Sequence, residues 1–169
     1  MKKQVLSVVA AAALVASLTV PAWAAVASPY GGAEAEGGDV TYTTQAQTGE
    51  DSQATQVYET IQGAESTEQE LDLLGDGLAE TVQSELGAAS VNEYRAREIG
   101  SVAVSGEGAT TVTLSNLAGV SAGTEGFVMY LGTDGLWHYL SVSFGNRTAT
   151  FTVPYSTTVI LYVRVAAAQ

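Results

Sequence analysis

His138 is the chain's only histidine, and it stands between Trp137 and Tyr139 in the stretch GTDGLWHYL. A histidine near acids is the usual core of a proton-transfer site, so hydrolysis is the first chemistry to weigh. A Ser-His-Asp hydrolase would have to use His138, and it would need a positioned carboxylate and a nucleophile as well. No G-x-S-x-G elbow is present, no serine stands out, and the turn after Asp134 is expected to keep that acid apart from His138. A zinc site fails for want of ligands, with one histidine and no cysteine. A glycan hydrolase needs two carboxylates across a cleft, and the C-terminal half offers Glu107, Glu125 and Asp134, all in turn sequences. A carboxylate-dependent glycan hydrolase is therefore the least favoured reading. Calcium is the more credible ion. Asp72, Asp76 and Glu80 recur four apart on one helical face, and Glu68 extends the row. Side chains on a helix rarely wrap a cation, however, and the EF-hand spacing is absent. The glycine turns lack the lysine and following helix of a phosphate loop. No catalytic residue, metal or cofactor is expected.

What remains is binding. In a strand, Leu136, His138, Leu140, Val142 and Phe144 share one face, and Trp137 and Tyr139 share the other. The first set is apolar apart from His138 and is expected to face the core. Trp137 and Tyr139 then either pack over a sheet edge or form an aromatic platform for a sugar ring or an apolar peptide side chain. Packing is the commoner use of such residues. Trp137, Tyr139 and His138 are still the ligand-binding candidates, with a glycan or an extracellular protein as partner.

The elements that would position them follow from periodicity. Leu71, Leu74, Leu78, Val82 and Leu86 fall at offsets of three and four, a helical stripe expected to face a core. Thr67 with Glu70 fits a capping box, and Gly87 a C-terminal stop. Gly75 and Gly77 are expected to split the stripe into helices over 68–74 and 77–86, with a further short helix around 56–62. From about residue 99 the period becomes that of strands, with Val, Thr, Tyr and Phe dominant. Six strands are predicted, over 99–105, 110–115, 126–131, 136–144, 148–153 and 158–165. SGEG, AGVSAGTEG, GTDG and FGNR supply the turns. The predicted fold is mainly β, an antiparallel β-sandwich of Ig-like type or a small barrel. One or two amphipathic helices and a disordered acidic arm precede it.

The start of the chain reads as an export signal. Lys2 and Lys3 precede an apolar run over 5–20, and Ala22-Trp23-Ala24 offers a cleavage site after Ala24. The expected organisation is a signal peptide over 1–24, a flexible acidic linker over 25–55 with a brief strand at 40–43, a helical segment over 56–90 and a β-domain over 91–169. Without cysteines the exported domain must be held by its core alone. Of the 18 acidic residues, only Glu125 and Asp134 follow residue 107, and the formal net charge is −12. Nucleic acid and anionic membranes are excluded as partners by repulsion. No second segment is apolar for long enough to span a bilayer. The oligomeric state is left open.

A resemblance adds to this reading. Leu86-Gly87, Thr111–Leu114, Ala122-Gly123, Asp134-Gly135-Leu136-Trp137, Thr150–Val153 and Ser156–Tyr162 fall in one order. That order resembles a C-terminal β module of bacterial secreted and cell-surface proteins, over roughly 85–165. Where that family carries a Ser-Pro-aromatic run before its last strand, this chain has Pro154-Tyr155-Ser156. The resemblance implies a non-catalytic sandwich module at the cell exterior and carries over no active-site residue. The expected role is recognition or adhesion outside the cell. The alternative is a structural subunit that joins an envelope assembly through an exposed edge strand, with 158–165 as the candidate edge.

Overall fold

The computed structural model describes residues 33–36, 39–47, 49–50 and 52–165. The expected signal segment and its cleavage site lie outside the described residues. The chain is mainly β, with two antiparallel sheets and three helices. In chain order the elements are β1 (Ala33–Glu36), β2 (Val40–Thr44), α1 (Gln53–Ile61), α2 (Thr67–Leu74), α3 (Leu78–Leu86) and β3 (Tyr94–Val104). There follow β4 (Thr110–Leu114), β5 (Gly126–Leu131), β6 (Trp137–Ser141), β7 (Ser143–Gly145), β8 (Thr148–Val153) and β9 (Thr157–Arg164). One sheet has the order β1-β4-β8-β7 and the other β2-β3-β9-β5-β6. Neither sheet closes on itself, so the small-barrel alternative is set aside.

The five-stranded sheet is buried on both faces. Along β5, Phe127 and Met129 join one core cluster and Val128 the other; along β9, Ile160 and Tyr162 join the first, Val159 and Leu161 the second. Alternate residues of a strand point to opposite faces, so the two clusters lie on the two sides of this sheet. The first contains Ala54, Val57, Ile61, Leu71, Ala79 and Val82 of the helices. The second contains Val112, Leu114, Ala149, Phe151 and Val153 of the other sheet. The continuous apolar run of β5 therefore needs no alternation, as expected of a strand covered on both faces.

The leucine stripe behaves as its spacing predicts. Leu71 is buried, and Leu74, Leu78 and Leu86 pack against the first cluster. The break comes at Gly75 and Gly77, and Gly87 ends α3 in the left-handed region with φ 60°. The predicted capping box is replaced. Ser66 caps α2 by accepting from the Gln69 amide at 3.2 Å, while Thr67 and Glu70 are buried. The Thr67 hydroxyl instead donates to the Tyr94 carbonyl at 2.6 Å and ties the start of α2 to β3.

Three strand expectations change. First, the arm read as a flexible linker contributes β1, which pairs with β4, beside the brief strand expected at 40–43, which is β2 and pairs with β3. Second, the single strand expected over 136–144 is two. Its first part, β6, belongs to the five-stranded sheet, and after Val142 the chain crosses to the other sheet as β7. Leu140, Val142 and Phe144 all pack on the second cluster, so the strand turns the corner around that core. Leu136, expected to face the core, lies in the preceding turn and is 62% exposed. Third, the last strand is no edge. β9 sits between β3 and β5, hydrogen-bonded on both sides. No helix among the described residues is long and apolar enough to cross a membrane.

Candidate functional site

Trp137 and Tyr139 lie on the helix-bearing face of β6. Both are partly buried and pack against the first core cluster. The Tyr139 ring stacks on Phe127 with centroids 6.0 Å apart. The two rings are thus spent largely on packing between the sheet and the helices.

His138 points the other way. Its Nε2 lies 3.0 Å and 3.1 Å from the two carboxylate oxygens of Asp134, and its ring stacks on Tyr130 with centroids 5.2 Å apart. The turn does not keep Asp134 and His138 apart, as the sequence had suggested; it folds one onto the other. Gly132 makes this approach feasible, because a Cβ there would stand 2.2 Å from Asp134 Oδ1 and 2.6 Å from His138 Nε2. The Leu136 amide donates to Asp134 Oδ1 at 3.0 Å. That bond, with His138 second, holds the Asp134 carboxyl below its ordinary range. The pair is exposed, with side-chain accessibilities of 40% and 50%. Among the described residues no hydroxyl bonds His138, so the nucleophile of a triad is missing.

A different place gathers charge beside a cavity. β3, β9 and β5 are neighbours in one sheet, and their ends stop at one level. Tyr94 pairs with Arg164 and Gly126 with Val163, so Glu93, Arg164 and Glu125 fall in a row. The Arg164 guanidinium binds Glu93 with one nitrogen and Glu125 with the other. Backbone bonds fix the row: the Arg164 amide donates to the Glu125 carbonyl at 2.7 Å, and the Val165 amide to the Glu93 carbonyl at 2.9 Å. The Glu125 and Glu93 carboxylates hold the Arg164 guanidinium above its ordinary range. These three side chains line a cleft of about 550 Å³. Tyr94, Val142 and Phe144 supply apolar lining, as do the end of α3 and the small residues Ala88 and Ala89. Burial pushes the Tyr94 hydroxyl up, so it stays a neutral donor. Gly126 allows Phe144 to close in, because a Cβ there would meet the Phe144 ring at 2.8 Å and the Tyr162 carbonyl oxygen at 2.2 Å.

This arrangement suits binding better than catalysis. Carboxylate oxygens and a guanidinium can exchange hydrogen bonds with hydroxyls or amides of a ligand, and the aromatic lining can take an apolar face. Both carboxylates are committed to one guanidinium, which is no arrangement for passing a proton across a scissile bond. Of the acids weighed for hydrolysis, Glu125 is in this row and Asp134 is on His138; Glu107 lines neither place. Asp72, Asp76 and Glu80 do not share one helical face, because the break after Leu74 puts Asp72 and Glu80 on different helices. No group of three acidic or histidine side chains able to hold a metal occurs among the described residues.

Sequence reasoning missed Glu93, Tyr94, Phe144 and Arg164 as a group. One signal was available. Arg164 interrupts the apolar run TTVILYVRV, and a lone cation at the end of a buried strand needs an acidic partner. No known protein family, curated protein or solved structure matches the chain.

Proposed function

We propose that the chain is an exported, non-catalytic module for recognition or adhesion at the bacterial cell exterior. Its two sheets act as an antiparallel β-sandwich with a helical cover, and its ligand seats in the Glu93–Arg164–Glu125 cleft. The observation that carries this reading is the cleft itself. It is concave, lined by charged and by aromatic side chains, and its polar groups are pre-placed by the ends of three paired strands. The apolar run and A-x-A sequence of the first 24 residues support export. A glycan or an extended segment of an extracellular protein fits a cleft of this chemistry. Binding of residues 25–169 to a panel of glycans, peptidoglycan and extracellular proteins tests the reading. It expects a specific hit that is weakened by Phe144→Ala and Arg164→Ala. A hit that ignores both changes but is lost with Trp137→Ala would move the site to β6.

Assembly through an edge strand is the second reading. The outer rows available are β1, β2, β6 and β7, all of five residues or fewer. At one side the chain crosses from sheet to sheet between β1 and β2, at the other between β6 and β7. Such corners interrupt a free edge and leave little template for strand addition. A strictly monomeric protein by light scattering would remove this second reading.

A further inference from the structure

Among the described residues Glu70 and Glu98 are the buried acids, at 4% and 3% exposure. The other acids of the helical segment, Glu59, Glu68, Asp72, Glu80 and Glu85 on the helices and Glu65 and Asp76 between them, are exposed. Each buried carboxyl faces a buried tyrosine, and the two pairs lie on opposite sides of the five-stranded sheet. Glu98 reaches its side through a bulge between Ala96 and Glu98. Before the bulge Tyr94 and Ala96 face the helices; after it Val102 faces the other sheet. Tyr42 of β2 lies across Gly100, where a Cβ would stand 2.5 Å from the ring, and so brings its hydroxyl to Glu98. On the helical side Glu70 of α2 faces Tyr162 of β9. Each tyrosine hydroxyl stands near enough to its carboxyl to favour the ionised form, but no hydrogen bond of good geometry reaches either oxygen of Glu98, Glu70 Oε2 or either tyrosine hydroxyl among the described residues.

We propose that Glu98–Tyr42 and Glu70–Tyr162 form a two-sided, pH-sensitive lock that closes β2 and α2 onto the sheet in acid and releases them as pH rises. An ionised carboxylate without a full set of donors is costly in such surroundings, whereas a carboxylic acid is a small polar group that can be housed. The charged groups that face these sites are few. Arg97 of β3 acts on Glu98, and β4 and β8 present apolar residues to the same cluster. Arg95 of β3 acts on Glu70, while its own guanidinium donates to the carbonyls of Asn92 and Tyr94, each at 2.7 Å. From α1, Tyr58 reaches the same cluster, and α3 packs Leu78, Ala79, Val82 and Leu86 on it, while its acids Glu80 and Glu85 are exposed. Burial outweighs both arginines and both tyrosines. It raises Glu98 from 4.5 to about 8 and Glu70 from 4.5 to about 7.

Below 4.5 each carboxyl is protonated in the folded and the unfolded chain, and the stability is fully present. Between 4.5 and the folded value only the unfolded chain ionises, so stability is lost as pH rises. Once pH is well above the folded value, Glu70 has changed the unfolding equilibrium by roughly 300-fold and Glu98 by roughly 3,000-fold, half of each being reached at the folded value itself. Glu70 also lies one turn after Thr67, whose hydroxyl holds the carbonyl of the cleft residue Tyr94. The lock belongs to the fold and does not depend on which ligand the cleft takes.

Urea unfolding of the full chain at intervals from pH 5 to 8.5 tests it, with the double variant Glu70→Gln, Glu98→Gln measured beside it. The expected result is an unfolding equilibrium that rises by at least a hundredfold across this range in the parent and by less than tenfold in the variant. A parent whose stability is flat or increases, or a variant with the parent's slope, overturns the proposal. If the double variant does not fold, amide hydrogen exchange of the parent decides. After correction for the intrinsic rate, amides of β2 and α2 should lose protection relative to those of β5 as pH rises. Uniform protection overturns the lock.

Discussion

Replacing Tyr139 with Ala separates packing from display at the edge strand β6. Tyr139 stacks on Phe127, whose other neighbours are Tyr162 at 4.6 Å and Tyr94 at 5.5 Å between centroids. Truncating a fully buried aromatic costs about 3–5 kcal/mol. Tyr139 is partly buried, so roughly half of that applies, about 2 kcal/mol. Loss of the ring pair with Phe127 adds about 0.5–1 kcal/mol. The expected destabilisation is thus about 2.5–3 kcal/mol, or a fall in Tm of about 5–12 °C for a chain of this size. Urea unfolding followed by far-UV circular dichroism reads it, and an unchanged slope with denaturant keeps the comparison two-state. Tyr139→Phe, which retains the ring, should recover most of the loss. A cost below about 0.5 kcal/mol for Tyr139→Ala would show that the ring is displayed rather than packed. The assignment of β6 to the core would then be wrong.

Other outcomes follow from single contacts. Thr67→Val should cost about 1–2 kcal/mol in urea unfolding, because the buried hydroxyl that holds the Tyr94 carbonyl is lost while the shape is kept. Gly126→Ala should cost about 2 kcal/mol or more and disturb the cleft, because its Cβ would stand 2.2 Å from a backbone oxygen that cannot move away alone. An unperturbed melting curve would contradict that geometry. Gly87→Ala should cost about 1 kcal/mol through the left-handed cap of α3, read by the same melt. Mass spectrometry of the secreted protein should find a chain beginning at Ala25; an intact Met1 end would refute the cleavage site after Ala24.

The helical half was legible because helix periodicity needs only local residues. Leu71 to Leu86 advertise their face, and Gly75, Gly77 and Gly87 mark the breaks at the places where the helices end. β5 was legible as an apolar run between glycine turns, and β8 by its strict alternation of threonine with Ala149, Phe151 and Val153. β1 was not. Its sequence AEAE is poor in β-formers, and its partner residues 111–114 lie far along the chain. Strand order is also invisible to local pattern. The apolar character of β9 is common to a central strand and a sticky edge, and only pairing with β3 and β5 tells them apart. The faces of β6 misled for a third reason. With core on both sides of the sheet, Trp137 and Leu140 are both inward-facing, so alternation does not mark a wet side. Glu70 and Glu98 carried no sequence mark either. Glu70 is one acid among several in an acidic helix, and Glu98 is turned inward by a bulge that the stretch YRAREIG does not announce.

The central claim is that the cleft at Glu93, Arg164 and Glu125 seats a ligand. Its most direct test is the affinity of residues 25–169 for the hit from the binding panel, compared with Arg164→Ala. Arg164 is exposed, and its removal should leave Tm within a few degrees. A loss of affinity of at least tenfold with the fold intact is expected. Unchanged affinity in that variant and in Phe144→Ala would contradict it.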